Sequence, residues 1–185
     1  GVDASFPMLR KMGLKLERLE DDIFEGRSSE IVRDLSEAKQ EIINFRKIVR
    51  PQRAVLRDLE RTKQRYLQEE LEIYFDDISD AAERIWDTLE NYKEVIEALE
   101  STNESVLSHR LNDSFRAVNR LLRQEKLAVQ STETIKASIG EGLRKLLARL
   151  IPSYYPDHPD YDRLERDFLR YYSEEGAADV KWMPG

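Results

Sequence analysis

The 185-residue sequence carries 30 Lys and Arg against 37 Asp and Glu, a formal net charge of −7, with 36% charged residues, 9% aromatic residues and no cysteine. An acidic chain lacks the basic surface that a phosphate backbone requires, which excludes nucleic acid as a partner and leaves carboxylate faces able to attract divalent cations. Without cysteine there is neither a disulfide nor a thiolate metal site, and with no apolar run near the ~20 residues of a membrane helix and no signal peptide the chain reads as soluble and cytoplasmic, without direct membrane insertion.

Seven Gly and six Pro in so charged a sequence predict an all-α fold of long solvated helices. The first helix is expected over residues 5–25, where Leu9, Met12, Leu16, Leu19 and Ile23 alternate in steps of three and four and Gly26 follows as a C-cap. A second helix is expected over 29–67, capped by Ser28 or Ser29, with Leu35, Ala38, Ile42, Phe45 and Val49 as its seam. Pro51 should kink this helix rather than end it, because Val55, Leu56 and Leu59 continue the apolar face. Residues 52–139 contain neither Gly nor Pro, so the turn near "RYLQEELE" has no ordinary breaker.

The third helix is expected to run from 71 to 150. Its seam passes through Ala81, Ile85, Leu89, Tyr92 and Ile96 and resumes at Phe115, Val118, Leu122, Val129, Ile139, Leu143 and Leu146. Unbroken, such a rod would be ~120 Å long at 1.5 Å per residue. It cannot bury itself, so its second half should pack on copies of itself or on a partner, as a coiled coil does, with a lower oligomer or a folded-back monomer left open because Glu125 and Lys136 interrupt the seam. Gly140 and Gly142 are the expected break points. The organisation is therefore an antiparallel pair over 5–70, a coiled-coil-like stalk helix over 71–150 and a C-terminal cap over 151–185, an elongated three-helix arrangement. In the cap, Pro152, Pro156 and Pro159 force an extended turn before Asp160 or Asp162 starts a short helix, and Tyr154, Tyr155, Phe168, Tyr171, Tyr172 and Trp182 fold back on the rod.

Three stretches together carry a resemblance: "LERLEDDIFEG", "LSEAKQEIINFRKIVRPQRAVLRDL" and "YFDDISDAAERIWDTLENYKEVIEALESTNESVLSHRLND". Over residues 5–118 their order and spacing resemble the cytosolic helical region of the CorA family of magnesium and cobalt channels, in which two antiparallel helices lean on a very long stalk helix. The resemblance implies a Mg²⁺ ligand, with Co²⁺ as the alternative, no organic cofactor, a homo-oligomer that would be a pentamer, and a place on the cytosolic face of a membrane. It assigns Asp77 and Asp80 to the family's "YF-x-D-x-x-D" pattern, where the stalk carboxylate takes part in sensing magnesium between subunits. It assigns Asn112 to the polar ring at the cytosolic mouth of the pore. Each has a plainer reading: Asp76, Asp77 and Asp80 as a solvated acidic face near a helix N-terminus, and Asn112 as an exposed helical residue.

After "SHRLND" the pattern departs from the family. In place of an apolar span and the Gly-Met-Asn pore signature the sequence reads "SFRAVNRLLRQEKLAVQSTETIKASIG", and the α/β domain expected before the first helix is not seen. The expected function is that of a stalk segment with an assembling or regulatory role that conducts nothing by itself. The alternative is a soluble helical oligomerisation or interaction protein. Neither His109 nor His158 is accompanied by a catalytic motif, so the chain is not expected to be an enzyme. His158 with Asp157 and Asp160 reads as a capping loop rather than a metal site.

Overall fold

The computed structural model describes residues 5–25, 28–66, 69–139, 142–151 and 160–180. It is all-α as expected, with no strand among these residues and six helices: α1 (Ser5–Glu25), α2 (Ser28–Tyr66), α3 (Glu69–Gln124), α4 (Thr132–Ile139), α5 (Leu143–Leu150) and α6 (Tyr161–Val180). The chain divides into two compact units, residues 1–106 and 107–185, and α3 contributes to both.

The first unit packs α1, α2 and the earlier turns of α3 around the seams read from the sequence. Leu9, Met12, Leu16, Leu19 and Ile23 of α1 are buried, together with Leu35, Ala38, Ile42 and Val49 of α2 and Ile85, Leu89, Ile96 and Leu99 of α3. Each large apolar side chain so buried contributes roughly 1.5–3 kcal/mol. Pro51 lies inside α2 and does not end it. The cap positions Gly26, Ser28 and Ser29 are outside the residues whose side chains are described. Gly13 of α1 leaves room for the Tyr92 hydroxyl of α3, which a Cβ there would meet at 2.6 Å.

The ion pairs give the register. Lys15 of α1 meets Glu41 of α2 at 2.9 Å. Extending that antiparallel register to Ser5 brings the start of α1 level with Pro51, so the far end of the α2–α3 hairpin has no third helix along it among the described residues. The seam persists there without cover: Val55, Leu59, Leu71, Tyr74 and Ile78 are all exposed.

The expected third helix of 71–150 is corrected. It ends at Gln124, and α4 and α5 follow as separate helices. The stop is a Schellman motif: the Leu127 N–H donates to the Leu122 carbonyl at 2.8 Å and the Lys126 N–H to the Arg123 carbonyl at 3.0 Å. Lys126 itself takes the left-handed conformation, φ 57°, a position usually filled by glycine.

Beyond this turn the chain returns along α3. The amide of Asn119, itself buried, grips the backbone of Gln130 twice. Its Nδ2 donates to the Gln130 carbonyl at 3.1 Å and its Oδ1 accepts from the Gln130 N–H at 2.8 Å. Ser131 then caps α4, its Oγ accepting from the Thr134 N–H at 3.3 Å. Asp160 caps α6 through the Arg163 N–H at 3.0 Å, which is one of the two caps expected there.

The second core is made by Ala117, Val118, Leu121 and Leu122 of α3 with Ile135, Leu146, Leu147, Ile151, Leu164, Phe168 and Tyr171. Phe168 and Tyr171 fold inward as expected, while Tyr154, Tyr155, Pro152, Pro156, His158 and Trp182 lie outside the described residues. This core also corrects the expected use of the later seam. Val118, Leu122 and Leu146 are buried by their own chain, not left for copies of it. A bidentate pair of Arg163 with Glu125, at 2.8 and 3.1 Å, ties α6 to the turn after α3.

Candidate functional site

The face between α2 and α3 is a charge ladder whose basic side has heptad spacing. Lys39, Arg46 and Arg53 recur every seven residues on α2 and meet Glu100, Glu90 and Glu83 descending α3, as antiparallel helices require. Lys39 and Glu100 are 2.7 Å apart, and Arg57 adds a second contact to Glu83 at 3.3 Å. The Arg53 hydrogen bond holds the Glu83 carboxyl below its usual range; desolvation is the next largest effect and opposes it, and the Arg53 and Arg57 charges add to the lowering. The Glu100 hydrogen bond holds the Lys39 ammonium above its ordinary value. Trp86 sits in the middle of the ladder, with the Arg46 and Arg53 guanidiniums 5.2 and 4.5 Å from its ring centroid, within cation–π range. Sequence reading missed this ladder, although the recurrence of basic residues every seven positions on α2 was there to find it.

The sequence-predicted carboxylates lie beyond the ladder on the same helix. Asp77 and Asp80 are both exposed on the early turns of α3, three residues apart and so on neighbouring positions of one face. Among the described residues no group of three or more His, Asp or Glu side chains converges as a metal cage. Two carboxylates on one helix match the way Mg²⁺ takes one or two protein ligands and keeps several waters. Asn112 is exposed on α3 in the second unit. The polar residues of α3 that are buried are instead Asn103, Asp113 and Asn119.

In the second unit, Arg116 and Arg120 reach Glu175 and Glu174 of α6 at 3.9 and 2.6 Å, and the Arg120 guanidinium stacks 4.2 Å above the Tyr171 ring. These contacts, with the Asn119 clamp, hold the unit together around the last turns of α3. No helix among the described residues is long and apolar enough to cross a membrane.

The first unit is thus a three-helix module with a charged, cross-braced seam and paired carboxylates at one end of its longest helix. The family model described as CorA-like Mg²⁺ transporter protein matches residues 2–118, and the chain belongs to that family. It is similar to the cobalt/magnesium transport protein CorA of Thermotoga maritima, with 29% identity over 112 residues, 60% of this chain and 32% of the relative. The chain thus spans about a third of the length of that relative. No solved structure matches the chain.

Proposed function

We propose that this chain acts as the helical stalk segment of a CorA-like transport system for Mg²⁺, with Co²⁺ as the alternative ion, on the cytosolic side of a membrane. Its role is assembly and regulation as a homo-oligomer, and it conducts nothing by itself. The observation that carries this reading is the family match over residues 2–118, which covers the cross-braced three-helix unit of residues 1–106. Asp77 and Asp80 are the metal ligands of this reading. Their exposure suits an ion shared between copies, each copy offering one or two oxygens to a largely hydrated Mg²⁺. Asn112 serves as a polar contact between copies.

One observation supports a second reading, a soluble helical interaction protein that reuses the stalk only for assembly. The chain after residue 118 builds a core of its own, where the resemblance would have an apolar span.

Metal-dependent stability separates the two. In the stalk reading, millimolar Mg²⁺ or Co²⁺ raises the melting temperature beyond NaCl at matched ionic strength, and Asp77→Asn removes that gain without changing helix content. At a hundred times the dissociation constant, binding to the folded state adds ~2.7 kcal/mol, which a melting curve resolves. A gain that NaCl reproduces equals screening alone and leaves the interaction-protein reading standing.

A further inference from the structure

Between α1 and α2 the first unit carries a groove of about 890 Å³, within the range of about 300–1,000 Å³ that small-molecule sites occupy. Its walls are Met8, Leu14, Phe45 and Ile48, and Met8, Leu14 and Ile48 remain 54%, 48% and 58% exposed. Neither the charge ladder nor the carboxylates Asp77 and Asp80 contribute to it, since those acids lie on α3.

The register of the two helices orders these residues along the groove. Lys15 meets Glu41 at 2.9 Å, which in an antiparallel pair sets Met8 level with Ile48. The groove therefore runs from an apolar end, at Met8, Phe45 and Ile48, to a polar end, at Lys15, Arg18 and Glu41. From Met8 to Arg18 it is ~15 Å long at 1.5 Å per residue. An α-helix, 10–12 Å across with its side chains, occupies at least ~1,200 Å³ over that length. That is more than the groove encloses, so its occupant is thinner than a helix, as a single alkyl chain is.

The charges select the head of such a ligand. Lys11, Lys15 and Arg18 follow one another at i, i+4 and i+7, on one face of α1. The single carboxylate of the lining, Glu41, is engaged by Lys15, whereas Lys11 and Arg18 make no ion pair among the described residues. The groove is thus a basic feature in a chain whose formal net charge is −7. We infer that it binds a single-chain amphiphilic anion. The alkyl chain lies along Leu14, Phe45, Met8 and Ile48, and a carboxylate or phosphate head sits at the Arg18 end, where a guanidinium can take it bidentately. The Lys11 ammonium, beside the chain, adds to the field that favours a negative head. Both parts are needed: exposed cations alone hold an anion weakly in salt, and the apolar walls alone do not orient a ligand.

Calorimetric titration of the full 185-residue chain with dodecanoate and with dodecyl phosphate, each below its micelle concentration, tests the site. One equivalent of either should bind, and dodecyl maltoside, which has the chain without the charge, should bind at least tenfold more weakly. Acetate and inorganic phosphate, heads without a chain, should give no measurable heat. Lys11→Gln with Arg18→Gln should lower the anions to the affinity of the maltoside and leave the maltoside unchanged. Leu14→Gln with Ile48→Gln should abolish binding of all three amphiphiles. All four positions are exposed on their helices, so circular dichroism should not change. Sedimentation with phosphatidylglycerol vesicles, absent with phosphatidylcholine and lost in both double variants, would support the site with a bilayer lipid as the source of the anion. Binding of dodecanoate without sedimentation supports it with a free amphiphile as the source. Equal affinity for the anions and the maltoside, undiminished binding in both double variants, or no binding by the wild-type chain overturns the site.

Discussion

Asn119→Ala tests whether the second unit depends on the amide clamp that returns the chain along α3. The substitution deletes two hydrogen bonds, 3.1 and 2.8 Å long, to the carbonyl and N–H of Gln130. Each such bond contributes about 0.5–1.5 kcal/mol net. Asn119 is only 5% exposed, so the truncation also leaves a small cavity, whereas half-buried Gln130 regains part of its loss by hydrogen-bonding water. The expected destabilisation is about 2 kcal/mol, which for a unit of this size lowers the melting temperature by roughly 10 °C. Thermal unfolding by circular dichroism measures the total, and hydrogen exchange read at the Gln130 amide measures the cause, since that amide should lose most of its protection. Asn119→Asp keeps the acceptor for the Gln130 N–H but turns a carboxylate oxygen towards the Gln130 carbonyl, so it should recover no more than half of the stability. A loss below about 0.5 kcal/mol with Gln130 still protected would refute the clamp.

Lys126→Gly should stabilise the chain by about 0.5–1 kcal/mol, because relieving a left-handed non-glycine residue outweighs the extra unfolded-state entropy of glycine; an unchanged or lower melting temperature in urea or heat counts against the Schellman assignment. For Glu83 the folded carboxyl sits below its ordinary value, so its contribution is complete above pH ~4.3, the ordinary value of Glu, and is lost as pH falls through the folded value. Glu83→Gln should therefore cost about 0.5–1 kcal/mol at neutral pH, discounted for the solvent-screened surroundings, and should flatten the acid limb of a melting series from pH 6 to 2; parallel limbs for the two proteins sink the ladder's role.

The first unit was legible because its signal is redundant. The α1 seam repeats at Leu9, Met12, Leu16, Leu19 and Ile23, and every one of those residues is buried. The α2 seam survived Pro51 for the same reason: Leu56 continued the apolar face past it. The end of α3 was not legible, because the stop depends on Lys126 in a conformation that sequence reading reserves for glycine. Its partner Asn119 is an ordinary polar letter until Gln130 is brought back beside it. The apolar spacing of Val118, Leu122 and Leu146 does not say whether the matching surface is a second copy or the same chain, and a short return of 125–131 decided for the same chain. The ladder around Trp86 was missed because charges were read as solvation rather than as pairs between helices. The carboxylates Asp77 and Asp80 were reached only through resemblance, since exposed acids at a helix start look alike whether or not they hold an ion.

The second core also bears on where copies of this chain can meet. A helix that enters lipid needs apolar residues around its whole circumference, whereas a surface helix needs one stripe. After residue 107, α3 has one stripe: Ala117, Val118, Leu121 and Leu122 are between 0% and 1% exposed, and Arg116 and Arg120 occupy another face, bound to Glu175 and Glu174. Every strongly apolar position of these turns is thus spent inside the unit formed with α4, α5 and α6. Assembly through this stretch would require Leu164, Phe168 and Tyr171 to leave their places, exposing side chains that each contribute roughly 1.5–3 kcal/mol by burial. The first unit faces no such cost, because Tyr74 and Ile78 on one side and Leu14 and Ile48 on the other are already exposed. An assembly of folded chains would therefore cost less through the first unit than through the second.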